Sequence, residues 1–437
     1  MIDVNGFQYV FSGAAATNTT INSGGFQIVS SGAAAIGTTI SSGGEQSVED
    51  TTISTTITTI GSGAQLIGIG GTATSTTISG GEQDDFGTAI STTINSGGGH
   101  QGLQIIENGG TAISTTINVG QQAVGGTAIS TTINSGGLQG VDSGGTATST
   151  TISSGGFQDD FGTATSTTIS GGQQRVEIGG TAIGTTINSA GQTLPASNLQ
   201  NDFGTAISTT INSRGLQAVE TGATAISTTI SGGQQNVFSG TAISTTISGG
   251  TQLVELNGTA SSTIISSGGE QVVQTSGTAI GTIISSGGSE IVNAGGTANN
   301  TTIASGGRLE ILTNGVVGGV VLRGGTADLK SGAKVSAPIA LVGIGGTLEI
   351  GGSAAPLSAF MSGLVVSGLA AGDTVDLTNV AFVSGATASA RMAFSTSWWE
   401  EPAMRWGSAR RTPSPAFNSW FPATARPALT SLSARPR

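Results

Sequence analysis

The sequence predicts an all-β fold, a parallel β-helix (β-solenoid) of roughly 17 coils at about 19 residues per coil, and three observations carry that prediction. Gln8, Gln27, Gln46 and Gln65 recur at a spacing of 19. A second column, Ile21 and Ile40, closes Thr-Thr-Ile triplets. It continues through Ile78, Ile94, Ile117, Ile133, Ile152, Ile169, Ile187, Ile211, Ile230, Ile247, Ile265, Ile284 and Ile303, with coil lengths drifting between 16 and 24. No stretch carries a helical pattern, while the order Gly-Gly, Gln, Val, Gly-Thr-Ala, Thr-Thr-Ile returns coil after coil. Units of about 20 residues cannot bury an apolar face alone and are stable only when stacked.

Each coil opens at a glycine pair such as Gly43-Gly44, where positive φ is tolerated and the chain turns. The segment after it alternates, so Gln46 and Val48 share one face, and Glu45 and Ser47 the other. Val belongs to the core, so Gln points inward too. There it forms either an amide ladder that satisfies its own polar groups or a ligand-binding row. Gly-Thr-Ala then reads as a tight interior corner. It leads to a second strand, Ser75-Thr76-Thr77-Ile78-Ser79, with Thr76 and Ile78 inside and Ser75, Thr77 and Ser79 outside. Two strands per coil are expected, with length differences absorbed in loops such as Gly97-Gly98-Gly99-His100 and Leu194-Pro195-Ala196-Ser197.

The regular repeats span 1–307. Degenerate repeats and a cap-like segment fill 308–390, where Leu309-Glu310-Ile311 and Leu348-Glu349-Ile350 keep the alternation but Thr-Thr-Ile is lost. Residues 391–437 differ in kind: they hold all four Trp, six of the nine Pro, seven of the 13 basic residues and two of the 24 acidic ones. The tail is therefore net +5 against −16 for residues 1–390. It reads as a disordered basic tail or as Gly- and Thr-rich codons translated out of frame.

Composition limits the function classes. With 74 glycines and 4% aromatics the chain lacks the large side chains of a thick globular core, and with 8% charged residues it lacks the charge of a disordered one. The absence of cysteine fits an extracellular bacterial protein. No apolar run reaches the roughly 18 residues of a membrane helix, and Met1-Ile2-Asp3-Val4 is not the start of a classical signal peptide. Six basic residues in 390 argue against nucleic-acid binding by the body of the chain.

Catalytic and metal chemistry find little support. Asp84-Asp85-Phe86-Gly87, Asp159-Asp160-Phe161-Gly162 and Asn201-Asp202-Phe203-Gly204 recur with the repeats and read as turn residues rather than cation ligands or acids. His100 is the single histidine, with no second ligand beside it. No catalytic, metal or cofactor residue is assigned, and no cofactor is expected. The outward hydroxyls could also make an ice-binding face, but a single Thr column on coils of uneven length matches a lattice poorly.

Ser41-Ser42-Gly43-Gly44-Glu45-Gln46-Ser47-Val48 and Gly70-Gly71-Thr72-Ala73-Thr74-Ser75-Thr76-Thr77-Ile78 resemble the strand-loop-strand repeats of AIDA-type autotransporter passengers, over roughly residues 1–330. The resemblance implies a right-handed β-helix, secreted or held at the bacterial surface (outer membrane). There it would mediate adhesion, self-association or biofilm formation through host or cell-surface receptors. It also implies O-linked heptose added to Ser and Thr by a dedicated heptosyltransferase. The candidate acceptors are the outward Thr77, Thr93, Thr116, Thr132, Thr151, Thr168, Thr186, Thr210, Thr229 and Thr246. The chain carries neither the membrane β-barrel of such proteins nor their signal peptide. The expectation is thus a passenger fragment whose link to the outer membrane is a missing translocator, or a repeat protein exported otherwise. A released biofilm-matrix protein is the alternative, and a polysaccharide-acting β-helix enzyme a distant one.

Overall fold

The structure is a computed structural model, and it describes Ile2 and residues 5–53, 55–58, 63–188, 199–351, 364–378, 391–393 and 403–405. The loop Leu194-Pro195-Ala196-Ser197, part of the cap-like segment and nearly all of the 391–437 tail lie outside the described residues. The chain divides into two compact units, Met1–Thr228 and Thr229–Arg437. The regular elements are all strands, and the fold is a parallel β-solenoid of about 17 turns, roughly 19 residues apart. No helix among the described residues is long and apolar enough to cross a membrane.

A coil of the first unit contains three strands, not the two expected. In one coil these are Leu138–Val141, Thr146–Thr148 and Thr151–Ser153. Gly-Thr-Ala is therefore not a corner: the glycine is the corner, and Thr-Ala opens a short strand that stacks in a sheet of its own. Ala147 pairs with Ala128 on one side and Ala164 on the other. The second corner falls two residues past the expected Gly-Thr-Ala, at Ser149, which adopts φ +59. Left-handed φ is costly for a residue with a Cβ. It is held here because the Ser149 amide donates to the Thr165 carbonyl oxygen at 2.8 Å, continuing the ladder around the bend. The glycine before the Ala strand is required for a different reason. A Cβ on Gly145 would run into the carbonyl oxygen of Val124 in the preceding coil.

Register is strict although coil length is not. The Ile column is paired residue for residue from Ile78 to Ile211. Longer coils place their extra residues outside it, as in the antiparallel hairpin that pairs Gly97 with His100. Each inward Ile, Val and Ala is buried by its neighbours above and below, with Ile78, Ile94, Ile117, Ile133, Ile152 and Ile169 at 0% exposure. Full burial contributes about 1.5–3 kcal/mol per large aliphatic side chain, so the thin core is stabilised by repetition.

The inward glutamines form the amide ladder. Gln139 donates through Nε2 to Gln122 Oε1 at 2.6 Å, and Gln158 donates to Gln139 Oε1 at 2.8 Å. The inward threonine before each Ile strand completes the pattern, Thr150 Oγ1 donating to Gln139 Oε1 at 3.1 Å. The ladder amides and the threonine hydroxyls beside them thus have partners in the same or the adjoining coil, which is what makes their burial tolerable.

In the second unit the ladder runs through Gln235, Gln252 and Gln271, and then changes chemistry without losing register. Glu290, Leu309, Ala327, Leu348 and Val375 follow in the same slot. The described part of 308–390 is thus continued coil, with hydrocarbon in place of amide. There Arg308 bridges Asp328 and Glu349, and Lys330 reaches Asp328 at 2.7 Å and Glu310 at 3.3 Å. Residues 391–393 and 403–405 form a short antiparallel pair, the latter also lying against 365–367.

Candidate functional site: the outward hydroxyl columns

The candidate acceptor threonines are the first residues of the Ile strands, and parallel pairing brings them into columns. In the first unit Thr77, Thr93, Thr116, Thr132, Thr151, Thr168, Thr186 and Thr210 stand in one unbroken line. Thr229 and Thr246 pair likewise in the second unit, after which Ile264 takes the place. All ten face outward and are half-buried, while the preceding residue of each triplet, such as Thr76 or Thr92, is buried at 1% exposure. Strand stacking sets the column repeat at about 4.8 Å, so neighbouring side chains flank one another and each hydroxyl is reached from the outside only.

One further column escaped the reading of the sequence, and another, read as the outward start of the Ile strand at Ser75, lies at a corner instead. The first is the Ala strand, whose leading residues Thr111, Thr127, Thr146, Thr163 and Thr181 are stacked in register and half-buried, with their neighbour Ala turned inward. Their third positions also face out and run Ile113, Ile129, Thr148, Thr165 and Ile183. The second is the corner position, a serine in most coils of the first unit and Asn18, Gly37 or Gly184 in others. Ser75, Ser91, Ser114, Ser130, Ser149 and Ser166 are exposed, all at φ of 58–59. These corners are more open to solvent than the Thr77 column. Treating Thr-Ala-x as an alternating strand would have revealed both. An outward polar ladder joins them where Asn118 donates to Asn95 and Asn134 to Asn118, each at 2.8 Å.

The Asp-Asp motifs are not turns. Glu82–Asp85, Phe157–Asp160 and Leu199–Asp202 are Gln strands, and their last residue takes the inward slot that Val141 holds elsewhere. Asp85, Asp160 and Asp202 are each 0% exposed. Burial drives the Asp160 and Asp202 carboxyls up to about 8, opposed by hydrogen bonds from Gln174 and Gln217. It raises Asp85 well above the usual carboxylate range against the Gln104 bond. Outward-facing Asp84 is raised as well, by burial first and then by Glu82 and Glu107. Asp84 and Asp85 point to opposite faces and do not form one site. Among the described residues no group of three or more His, Cys, Asp or Glu is placed to hold a metal ion. His100 is exposed at its hairpin.

The site is therefore a surface, uncharged along its columns, offering hydroxyls at fixed intervals. As neutral nucleophiles such hydroxyls can accept a transferred group, and as donors and acceptors they can bind a repetitive partner. The chain is similar to a solved crystal structure, described as a TibC-catalyzed hyper-glycosylated TibA55-350 fragment, at 35% identity. The match covers 74% of this chain and 99% of that one, with a TM-score of 0.48. No protein-family model matches the chain, and no curated protein does either.

Proposed function

We propose that the chain is the passenger-type repeat region of a bacterial adhesin, secreted or displayed at the cell surface, that acts by multivalent contact. The observation that carries this reading is the unbroken register of the outward hydroxyl columns across coils of unequal length. A protein that needed only a stable rod could vary its outer face freely. Here the outward residues of the Gln strands do vary, from Glu82 to Leu103, Gln121, Leu138 and Phe157, while the leading Thr of the Ala and Ile strands is kept coil after coil. Weak contacts repeated along such a face add through effective concentration, so the whole binds far more tightly than any one patch. The partners are host or cell-surface receptors, or a second copy in self-association and biofilm formation. A released biofilm-matrix protein uses the same surface without a cell anchor. No enzymatic activity is assigned.

The same columns suit modification. A glycosyltransferase that adds a sugar to one coil meets an equivalent acceptor in the next, so heptosylation of Thr77, Thr93 and their column mates belongs to this proposal. The TibA fragment is described as hyper-glycosylated; for this chain the acceptor positions follow from its own surface, and heptose as the sugar follows from the resemblance to AIDA-type passengers. The test is to express the chain with and without a heptosyltransferase, map modified residues by peptide mass spectrometry, and measure binding to host cells and to itself. Adhesion or aggregation that scales with the number of coils supports the proposal. A chain that binds neither cells nor itself, in both states, overturns it.

A further inference from the structure

Three inward slots of the first unit hold a carboxyl where hydrocarbon is the rule. Asp85 stands in register between Ile67 and Ile106, Asp160 between Val141 and Val176, and Asp202 between Val176 and Val219. Each is 0% exposed. In each, Oδ2 accepts one hydrogen bond from a ladder glutamine of the next coil: Gln104 at 2.7 Å, Gln174 at 2.8 Å and Gln217 at 2.8 Å. Oδ1 is buried with no hydrogen-bond partner in all three. The same constellation thus occurs three times.

Among the described residues no basic group pairs with these carboxyls. Around Asp85 the packed residues are Ile67, Ala73, Ala89 and Ile106, and the charged groups acting on its strand are Asp84, Glu82 and Glu107. Asp159 lies beside Asp160, and Asp160 itself acts on Asp202. Arg175 lies on the outward side, in register between Asp159 and Asn201, and is paired with Glu177. An ion with a single amide donor in a dry slot is destabilised by several kcal/mol, whereas a neutral carboxyl leaves one unpaired polar atom, a cost of about 1–3 kcal/mol. The neutral form wins.

We infer that a proton on each of Asp85, Asp160 and Asp202 locks its coil closed, and that these three coils loosen selectively as the medium turns from acidic to alkaline. The direction follows from linkage. In an opened coil the carboxyl ionises near its ordinary value of 3.8, whereas in the closed coil Asp160 and Asp202 ionise at about 8. The lock is complete below the first value and lost as pH rises through the second. Across that interval the Asp160 and Asp202 carboxyls each raise the opening constant of their coil about tenfold per pH unit, and Asp85 acts in the same direction. The coils between them, built on Ile106, Val124, Val141 and Val176, carry no such group in this slot.

The test is hydrogen exchange by mass spectrometry on the whole chain from pH 5 to 9, corrected for the intrinsic rate, with infrared spectra of the same samples. Protection of 157–160 and 199–202 is expected to fall with rising pH, while that of 121–124, which pairs with neither an Asp85 nor an Asp160 strand, stays level. Asp160→Asn is expected to flatten the response at 157–160. Should that variant not fold, Asp160→Val restores the residue type of the neighbouring coils and serves instead. At neutral pH the infrared spectrum is expected to contain the carbonyl band of a protonated carboxylic acid, reduced in the variant. Protection at 157–160 that ignores pH, a loss equal to that at 121–124, an unchanged response in the variant, or the absence of the acid band overturns the inference.

Discussion

Replacing Glu290 with Gln should stabilise the second unit at pH 8 and leave it nearly unchanged at pH 4. Glu290 occupies the ladder slot above Gln271 and is 0% exposed. It accepts from Thr301 Oγ1 at 3.0 Å and, weakly, from Thr282 Oγ1 at 3.5 Å, but as a carboxylate it has nothing to donate to Gln271. Burial lifts its carboxyl from 4.5 to about 7, the two threonine hydrogen bonds opposing the rise. Because the folded value lies above the unfolded one, the stability of the neutral form is complete below about 4.5 and lost as pH rises through about 7. At about 1.4 kcal/mol per pH unit, the loss by pH 8 is about 3 kcal/mol, roughly a hundredfold in the opening constant. The amide of Glu290→Gln would carry no such loss, and its Nε2 would extend the ladder to Gln271. The assay is hydrogen exchange of residues 289–292 together with denaturant midpoints at both pH values. An equal gain at pH 4 and pH 8, or none at pH 8, would refute the reasoning.

Three other outcomes are expected. Gln139→Leu removes four ladder contacts and orphans the Thr150 hydroxyl hydrogen and one Gln158 amide hydrogen. At about 1–3 kcal/mol each, partly offset by the extra apolar burial, the first unit should lose about 2 kcal/mol in urea titrations. Gly145→Ala, whose Cβ meets the Val124 carbonyl oxygen, should cost about 3 kcal/mol or more. Gly140→Ala, with open space around it, should be neutral or gain about 0.5 kcal/mol by thermal melting. Arg308→Ala leaves Asp328 with Lys330 alone, so the second unit should lose about 1 kcal/mol, and less in high salt, by denaturant titration in low and high salt.

Much of the site is legible in the sequence because its logic is local. Alternation along Gly-Gly-Glu-Gln-Ser-Val and Ser-Thr-Thr-Ile-Ser assigns Gln46, Val48, Thr76 and Ile78 to the inside and Thr77 to the outside, and the structure agrees. The failures share one cause, a signal too short or too ambiguous to carry a period. Thr-Ala-x is only three residues long, so the Thr146 column with its Ile129 and Thr148 neighbours reads as a corner until the strands are seen paired. Asp85, Asp160 and Asp202 read as turn residues because Asp is far commoner in turns than in a strand's inward slot.

The sequence by itself determined the repeat, its inward and outward faces and the hydroxyl stripe of Thr77, because side-chain alternation is a property of one strand. What the tertiary structure decided is which polar groups survive inside. Asp160 can be buried only because the next coil places Gln174 against it, and Gln139 only because Gln122 and Gln158 flank it. The corner at Ser149 persists because its amide finds the Thr165 carbonyl one coil on. Partners supplied by a neighbouring coil depend on stacking register, which coils of 16 to 24 residues leave open until the strands pair.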